Sequence, residues 1–135
     1  MDPLQVAHLR VLIVDDEPDS IEVVRMVLSA AGATVYEAAE GREGLEIYRR
    51  EQPNVILTDL SMPDLDGWQL LETIRASDNG QAVPVIALTA HAMVGDKERV
   101  MVAGFTAYMS KPLKMFTFME DLRRCLANAQ NNPYG

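Results

Sequence analysis

The sequence predicts an α/β protein in which five β-strands alternate with five helices around one parallel sheet. Three short apolar runs, at residues 11–14, 55–57 and 85–88, are continuous rather than alternating. Strands that helices cover on both faces have this pattern. Segments with helical spacing separate the runs, and strict alternation of strands and helices favours a parallel sheet.

The first half of the chain supplies two strand–helix units. Residues 11–14 form the first strand, and the helix after it is predicted to begin near Asp19 or Ser20, since either residue is a favourable N-cap. Gly32 follows the last apolar residue of this helix and provides its C-terminal stop. The next two elements are a weaker strand at 34–37 and a helix at about 42–50.

Three further units complete the alternation. The strands at 55–57 and 85–88 are strongly apolar, whereas the last strand has a weaker signal. The predicted elements, in chain order, are strand 55–57, helix 68–76, strand 85–88, helix 95–103, strand 106–109 and helix 114–129. A chain of 135 residues is about the size of one domain.

Composition and charge narrow the class of protein. We expect one domain at residues 10–127, an N-terminal extension at 1–9 and a polar tail at 128–135. The net charge of -8 argues against nucleic-acid binding, which depends on clustered Lys and Arg. Cys125 is the only cysteine, so no internal disulfide can form. No apolar run approaches the ~20 residues that span a bilayer, and we expect a cytoplasmic protein.

Polar residues that could bind a ligand or react come directly after the predicted strands. Because ligands in such folds bind at the carboxyl ends of the strands, we expect these residues to share one site. Close carboxylates repel one another and require a cation, and an all-oxygen set of ligands suits Mg²⁺. Taken singly, each residue also fits a turn, an N-cap or a solvated surface. The residues are Asp15, Asp16, Asp59, Thr89 and Lys111.

Four segments together resemble the signature of response-regulator receiver domains. They are VLIVDD at 11–16, VILTDLSMPDLDG at 55–67, VIALTA at 85–90, and Lys111-Pro112. Each fragment alone is a weak match, but four in this order and spacing are specific. The resemblance extends over about 10–126 and implies a flavodoxin-like fold with strand order 2-1-3-4-5. The segment LTAHAM at 88–93 is most similar to stand-alone, chemotaxis-regulator-like phosphorelay receivers, or to receivers of hybrid kinases.

The resemblance assigns the phosphoacceptor and the metal ligands. Asp59 would attack a phosphohistidine and form an acyl phosphate. Asp16 and Asp59 would hold Mg²⁺ through carboxylate oxygens, together with the backbone carbonyl of Ser61, while Asp15 lies close by or acts through water. Mn²⁺ could take the place of Mg²⁺. Lys111 would pair with an oxygen of the phosphoryl group.

The resemblance also assigns a conformational switch and two tuning positions. Thr89 would donate its hydroxyl to the phosphoryl group, and Tyr108 would turn inward as Thr89 moves, although core packing alone would also account for this tyrosine. Pro112 would follow a cis peptide bond and shape the loop that positions Lys111. Ser61 and His91 would flank the path of a hydrolytic water, an interpretation that suits Ser61 better than His91.

The partners implied are a sensor histidine kinase or a histidine phosphotransfer protein as donor, and an effector protein as target. We expect a monomer, with a dimer through the fourth-helix face as the alternative, and a signalling protein rather than an enzyme. One competing function is a pseudo-receiver that only binds partners. Another is an aspartyl-phosphate phosphatase of the haloacid dehalogenase type, but its first strand ends in D-x-D, whereas here Asp15-Asp16 precede Glu17-Pro18.

Overall fold

The computed structural model describes residues 6–90 and 94–131, which contain five parallel strands in the order β2-β1-β3-β4-β5. The predicted alternation and strand order are confirmed. After a 3₁₀ turn at Val6–His8, the elements are β1 Arg10–Val14, α1 Pro18–Ala30, β2 Thr34–Ala38, α2 Gly41–Glu51, β3 Val55–Asp59, α3 Gly67–Arg75, β4 Val85–Thr89, α4 Val94–Ala103, β5 Ala107–Ser110 and α5 Phe118–Asn131.

Both faces of the sheet are buried, which explains the continuous apolar runs. In β1, Val11 and Ile13 contribute to one apolar core, and Leu12 and Val14 contribute to the other. The first core includes residues of α1 and α5 (Val24, Leu28, Phe118, Leu122), and the second includes residues of α2, α3 and α4 (Ile47, Leu70, Ile74, Val100). The strand ends are therefore fixed by packing on two sides.

Two predicted helix starts are wrong. Helix α1 begins at Pro18, with Glu17 rather than Asp19 or Ser20 as its N-cap. Proline suits the first helical position because its missing N–H would have no partner there. Helix α5 begins at Phe118 rather than at residue 114, and a turn precedes it in which the Phe118 N–H donates to the Lys114 carbonyl at 2.9 Å. It continues to Asn131, past its predicted end.

The described part of the N-terminal extension packs against the domain. Val6 and Leu9 contact the core between the sheet and helices α1 and α5. The carbonyl of Leu9 accepts from the N–H of Thr34 at 3.0 Å, and that of His8 accepts from Asn54 Nδ2 at 3.1 Å. This segment therefore covers the amino ends of the strands, at the end of the sheet opposite the predicted site. No helix within the described ranges is long and apolar enough to cross a membrane.

Arg75, the last residue of α3, connects this helix to the loops that precede β4 and β5. Its guanidinium donates to the carbonyls of Gly80 at 2.7 Å, Val83 at 2.6 Å and Gly104 at 3.0 Å. Burial lowers the pKa of Arg75. Because the side chain donates hydrogen bonds to three carbonyl groups, it fixes the loop before β4 and the turn before β5.

We expect Arg75→Met to reduce the free energy of unfolding by about 2 kcal/mol, because the part-buried carbonyls of Gly80 and Val83 lose a charged donor. The measurement is urea unfolding of wild type and variant. Arg50 is the matched control, since its side chain is exposed and pairs with the neighbouring Glu51, and Arg50→Met should change stability by less than about 0.5 kcal/mol. Equal effects of the two substitutions would contradict this role of Arg75.

Candidate functional site

The carboxyl ends of β1 and β3 place two buried carboxylates side by side. Asp15 follows β1 directly and Asp59 is the last residue of β3, while the register pairs Val14 with Thr58. Asp15 is fully buried, and its N–H donates to the carbonyl of Ala38 at 3.0 Å. Its Oδ1 accepts from the N–H of Glu17 at 2.9 Å, which turns the loop into α1. Local hydrogen bonds therefore fix this loop beside Asp59.

The loop after β3 approaches Asp59 closely and is fixed at both ends. The N–H of Ser61 donates to Asp59 Oδ1 at 3.3 Å. Asp66 caps α3 by accepting from the N–H of Gln69 at 2.9 Å, and the Gln69 side chain accepts from the N–H of Asp66. A Cβ at Gly67 would lie 2.2 Å from the Asp59 carbonyl oxygen. Only glycine therefore permits this approach of α3 to the end of β3.

Lys111 supplies the positive charge at the centre of the site. Its Nζ lies 2.8 Å from Asp15 Oδ2, 3.2 Å from Glu17 Oε1 and 3.3 Å from Asp59 Oδ2, and its side chain is only 7% exposed. The Asp15 contact is an ion pair rather than a well-directed hydrogen bond. The backbone N–H of Lys111 donates to the Thr89 carbonyl at 2.8 Å, and the following bond to Pro112 is cis, as the resemblance implies.

Negative charge exceeds positive charge around Lys111. One carboxylate oxygen from each of Asp15, Asp16, Glu17 and Asp59 lies within 4.8 Å of the others. Burial raises the pKa of Asp59, and the charge of Asp15 raises it further, while Lys111 opposes both. Burial disfavours the ammonium form of Lys111, but its contacts with Asp15, Asp59 and Glu17 outweigh burial and raise its pKa. A second cation would relieve this imbalance.

The residues present fit a hard divalent cation such as Mg²⁺. The cluster offers only carboxylate oxygens, and Mg²⁺ binds through a few carboxylates while it keeps several waters. Asp15 and Asp59 are buried, whereas Asp16 and Glu17 are exposed, so the cluster opens to solvent on one side. That side is a cavity of about 510 Å³. Its lining includes Asp16, Glu17, Asp59, Ser61, Trp68, Thr89, Arg99 and Lys111.

The structure places Asp16, Asp59 and Lys111 at this cavity, whereas Asp15 lies behind them in the carboxylate cluster and Pro112 lines a neighbouring pocket. Thr89, the last residue of β4, is buried and lines the cavity, as does Ser61. Tyr108 does not line it. This side chain is half-buried against the core beneath α3 and α4, with Lys97 Nζ 5.4 Å from its ring centroid. His91 lies outside the described residues.

Three charged or aromatic residues at the cavity, Glu17, Trp68 and Arg99, were not predicted from the sequence. Glu17 had a signal, because it lies two residues after Asp15 in the same strand-end loop. Trp68 and Arg99 had none, since they lie in α3 and α4 rather than at a strand end. Their place at the cavity depends on how these helices pack against the sheet.

Comparison with known proteins decides the family. A family model of the response regulator receiver domain matches residues 11–123. The chain belongs to this family. Among curated proteins, this receiver domain is 34% identical to the polar-differentiation response regulator DivK of Brucella anthropi, over 88% of the chain and 97% of that protein. It is also 34% identical to an uncharacterised 14.6 kDa protein of Leptolyngbya boryana, over 90% of the chain and 93% of that protein.

Comparison with solved structures shows that the receiver domain also shares its fold with known proteins. The chemotaxis response regulator CheY4 of Vibrio cholerae superposes with a TM-score of 0.81 at 29% identity, over 87% of this chain and 98% of that one. The receiver domain of a Pseudomonas aeruginosa sensor histidine kinase gives a TM-score of 0.76 at 35% identity, over 88% and 98%. That structure has a magnesium ion coordinated in its active site cleft.

We expect Asp59→Asn to raise the midpoint of unfolding by a few degrees at neutral pH in EDTA. Because the folded state raises the pKa of Asp59, its ionised form opposes folding at every pH above that raised value. The gain should disappear as the pH falls below the ordinary aspartate pKa of about 3.9, where both states are protonated. Thermal unfolding at a series of pH values measures the difference.

Asp78→Asn is the matched control, because Asp78 is exposed in the loop after α3 and the substitution removes the same charge.

Mg²⁺ should raise the unfolding midpoint of wild type more than that of Asp59→Asn, since an ion that binds the native state stabilises it. A variant that is less stable than wild type in EDTA would contradict the charge imbalance described above.

Proposed function

We propose that this receiver domain accepts a phosphoryl group on Asp59 from a phosphohistidine of a kinase or phosphotransfer protein, and then signals to an effector protein. The observation that carries the proposal is the position of the Asp59 carboxylate. It lies beside three other carboxylates and 3.3 Å from the ammonium of Lys111, at the wall of an open cavity. A buried carboxylate beside one ammonium and further acidic ligands suits metal-assisted phosphoryl transfer.

In the proposed reaction an oxygen of Asp59 attacks the phosphorus atom. A P–O bond forms, the P–N bond of the donor breaks, and its electron pair returns to the imidazole nitrogen, which leaves an acyl phosphate on Asp59. The N–H of Ser61 at Oδ1 and the ammonium of Lys111 at Oδ2 hold the carboxylate in one orientation. Lys111 then pairs with an oxygen of the transferred group as a compact charge.

Asp16, Asp59 and the backbone carbonyl of Ser61 would hold Mg²⁺, with Asp15 beside them and Mn²⁺ as a substitute. When bound, the ion offsets the negative charge of the transferring phosphoryl group. Glu17 joins this set as an exposed carboxylate at the mouth of the site. The donor chemistry of the cluster and the magnesium ion in the Pseudomonas aeruginosa receiver structure support this assignment.

We propose that Thr89 reports the phosphoryl group to the surface formed by α4, β5 and α5. Its backbone carbonyl bonds Lys111, and Thr89 pairs with Ser110 across the sheet, two residues from Tyr108. Tyr108 lines a groove of about 730 Å³ between these elements, together with Met101 on α4. An inward turn of Tyr108 would change this groove, and an effector protein would recognise the change.

The remaining assignments follow from the same proposal. The receiver domain spans residues 10–127, acts as a monomer in the cytoplasm, and assists its own phosphotransfer without turning over a substrate. Burial raises the pKa of the Cys125 thiol to about 11, which suits an inert thiol in a reducing compartment. A pseudo-receiver is the second candidate, but the complete set of carboxylates around Lys111 favours phosphorylation.

Phosphorylation can be tested by intact mass after incubation with phosphoramidate, with and without Mg²⁺. Wild type should gain the mass of one phosphoryl group only when Mg²⁺ is present, because the charge of the cluster must be offset. Asp59→Asn should gain nothing, whereas the exposed-loop control Asp78→Asn should behave as wild type. A wild type that gains no mass under any condition would favour the pseudo-receiver.

Ser61 should affect how long the acyl phosphate survives. We expect Ser61→Leu to slow autodephosphorylation by roughly three- to tenfold, or on the order of 1 kcal/mol in barrier height, because a larger side chain obstructs water in the cavity. The decay of the phosphorylated mass after removal of the donor measures the rate. Ser29→Leu, an exposed position on α1, is the control, and equal rates for the two variants would exclude this role for Ser61.

A further inference from the structure

The ammonium of Lys111 is shared among three carboxylates that differ in how firmly the fold holds them. Its Nζ lies 2.8 Å from Asp15 Oδ2, 3.2 Å from Glu17 Oε1 and 3.3 Å from Asp59 Oδ2. A lysine ammonium has three N–H donors, so three partners are as many as it can direct a hydrogen bond to. A phosphoryl oxygen that pairs with Lys111 must therefore take the place of one of them.

Two of these partners are bound to stay with the ammonium. Asp15 is fully buried, and within the described residues its Oδ2 has the ion pair with Lys111 but no hydrogen bond. Removing the ammonium would leave a buried charge without a partner, which is strongly destabilising. In the proposed reaction Asp59 carries the phosphoryl group itself, so its contact with Lys111 passes to that group.

Glu17 is the partner that the fold leaves free to go. Its side chain is 61% exposed, so water can replace Lys111 around the carboxylate. Glu17 is the N-cap residue of α1, yet its side chain makes no capping hydrogen bond and contacts Lys111 instead. The shorter Ser, Thr, Asp and Asn are the residues that cap well. This position therefore supplies a carboxylate to Lys111 rather than to the helix.

The charge of an incoming phosphoryl group favours the release of Glu17. One carboxylate oxygen of Glu17 lies within 4.8 Å of one from Asp59, and both residues line the cavity. A phosphoryl group brings between one and two further negative charges to Asp59. Like charges at this separation repel each other, so the exposed carboxylate of Glu17 is driven outward as Lys111 turns to the phosphoryl oxygen.

We propose that Glu17 is a positioning residue, which holds Lys111 in the unphosphorylated protein and yields it to a phosphoryl oxygen on Asp59. This inference rests on the proposed function. The step exchanges one ion pair for another: the proton stays on Lys111, no covalent bond of Glu17 changes, and its carboxylate turns to water. Because one ion pair must break, Glu17 weakens the hold of the site on a phosphoryl group.

The test measures the affinity for beryllofluoride, which takes the place of a phosphoryl group on a carboxylate, at Mg²⁺ concentrations that saturate each variant. Trp68, the only tryptophan, lines the cavity, so its fluorescence reports binding. Glu17→Gln should bind beryllofluoride roughly two- to fivefold more tightly than wild type, because Lys111 no longer leaves an exposed ion pair. The matched control Glu22→Gln removes the same charge from an exposed position on α1 and should bind as wild type does.

Glu17→Asp separates the contact with Lys111 from the charge. Aspartate is a favourable N-cap because its short side chain accepts from N–H groups of the first helical turn. The carboxylate is thereby drawn towards α1 and away from Lys111, while the net charge stays the same. This variant should also bind beryllofluoride more tightly than wild type. An affinity equal to that of wild type would overturn the inference, because the gain in Glu17→Gln would then come from charge alone.

The affinity for Mg²⁺ without beryllofluoride distinguishes the exchange from damage to the site. Titration calorimetry should show that Glu17→Gln binds Mg²⁺ more weakly, by roughly twofold, because the substitution removes a negative charge beside the ion. The two affinities of this variant therefore change in opposite directions. A variant that loses affinity for both Mg²⁺ and beryllofluoride has a distorted site, and that result would contradict the exchange.

The outcomes separate this inference from the proposed function. A wild type that binds beryllofluoride with the same affinity as both Glu17 variants would overturn the role of Glu17 alone. A wild type that neither binds beryllofluoride nor gains the mass of a phosphoryl group would overturn the proposed function first, and the exchange with it.

Discussion

The concentration of carboxylates around Lys111 is the constraint on which the rest of the site depends. Three of these carboxylates lie within 3.3 Å of a single ammonium whose side chain is almost completely buried. Leaving such charges without partners in a buried position costs several kcal/mol per ion. The loops after β1, β3 and β5 must therefore keep their relative positions, and the surplus of carboxylates suits a divalent cation.

The fold supplies this positioning through hydrogen bonds at the strand ends. The backbone bond from Lys111 to the carbonyl of Thr89 joins the loop after β5 to the end of β4. Because Thr89 and Lys111 share this bond, a displacement of either residue moves the other. Gly67 allows α3 to approach the carbonyl of Asp59, and Arg75 anchors the opposite end of the same helix. Asp59 therefore lies between well-fixed elements.

Helix α4 packs against the sheet with fewer buried side chains than α3. Val100 is the buried residue among the side chains described for this helix, whereas α3 buries several. Two cation–π contacts connect α4 to its neighbours, from Arg99 to Trp68 on α3 and from Lys97 to Tyr108 on β5. Such contacts contribute about 0.5–1 kcal/mol each at exposed sites. Among the described side chains, α4 therefore has a smaller buried apolar face than α3.

The sequence by itself determined the sheet and the chemical residues at its edge. Continuous apolar runs indicate burial on both faces, and the carboxyl ends of parallel strands share one edge, so the sequence alone groups Asp15, Asp59, Thr89 and Lys111. Only the tertiary structure brought Arg99 to the cavity and left Tyr108 outside it. The physical reason is that periodicity reports which face of a helix or strand is buried, whereas the reach of a long side chain depends on how neighbouring elements pack.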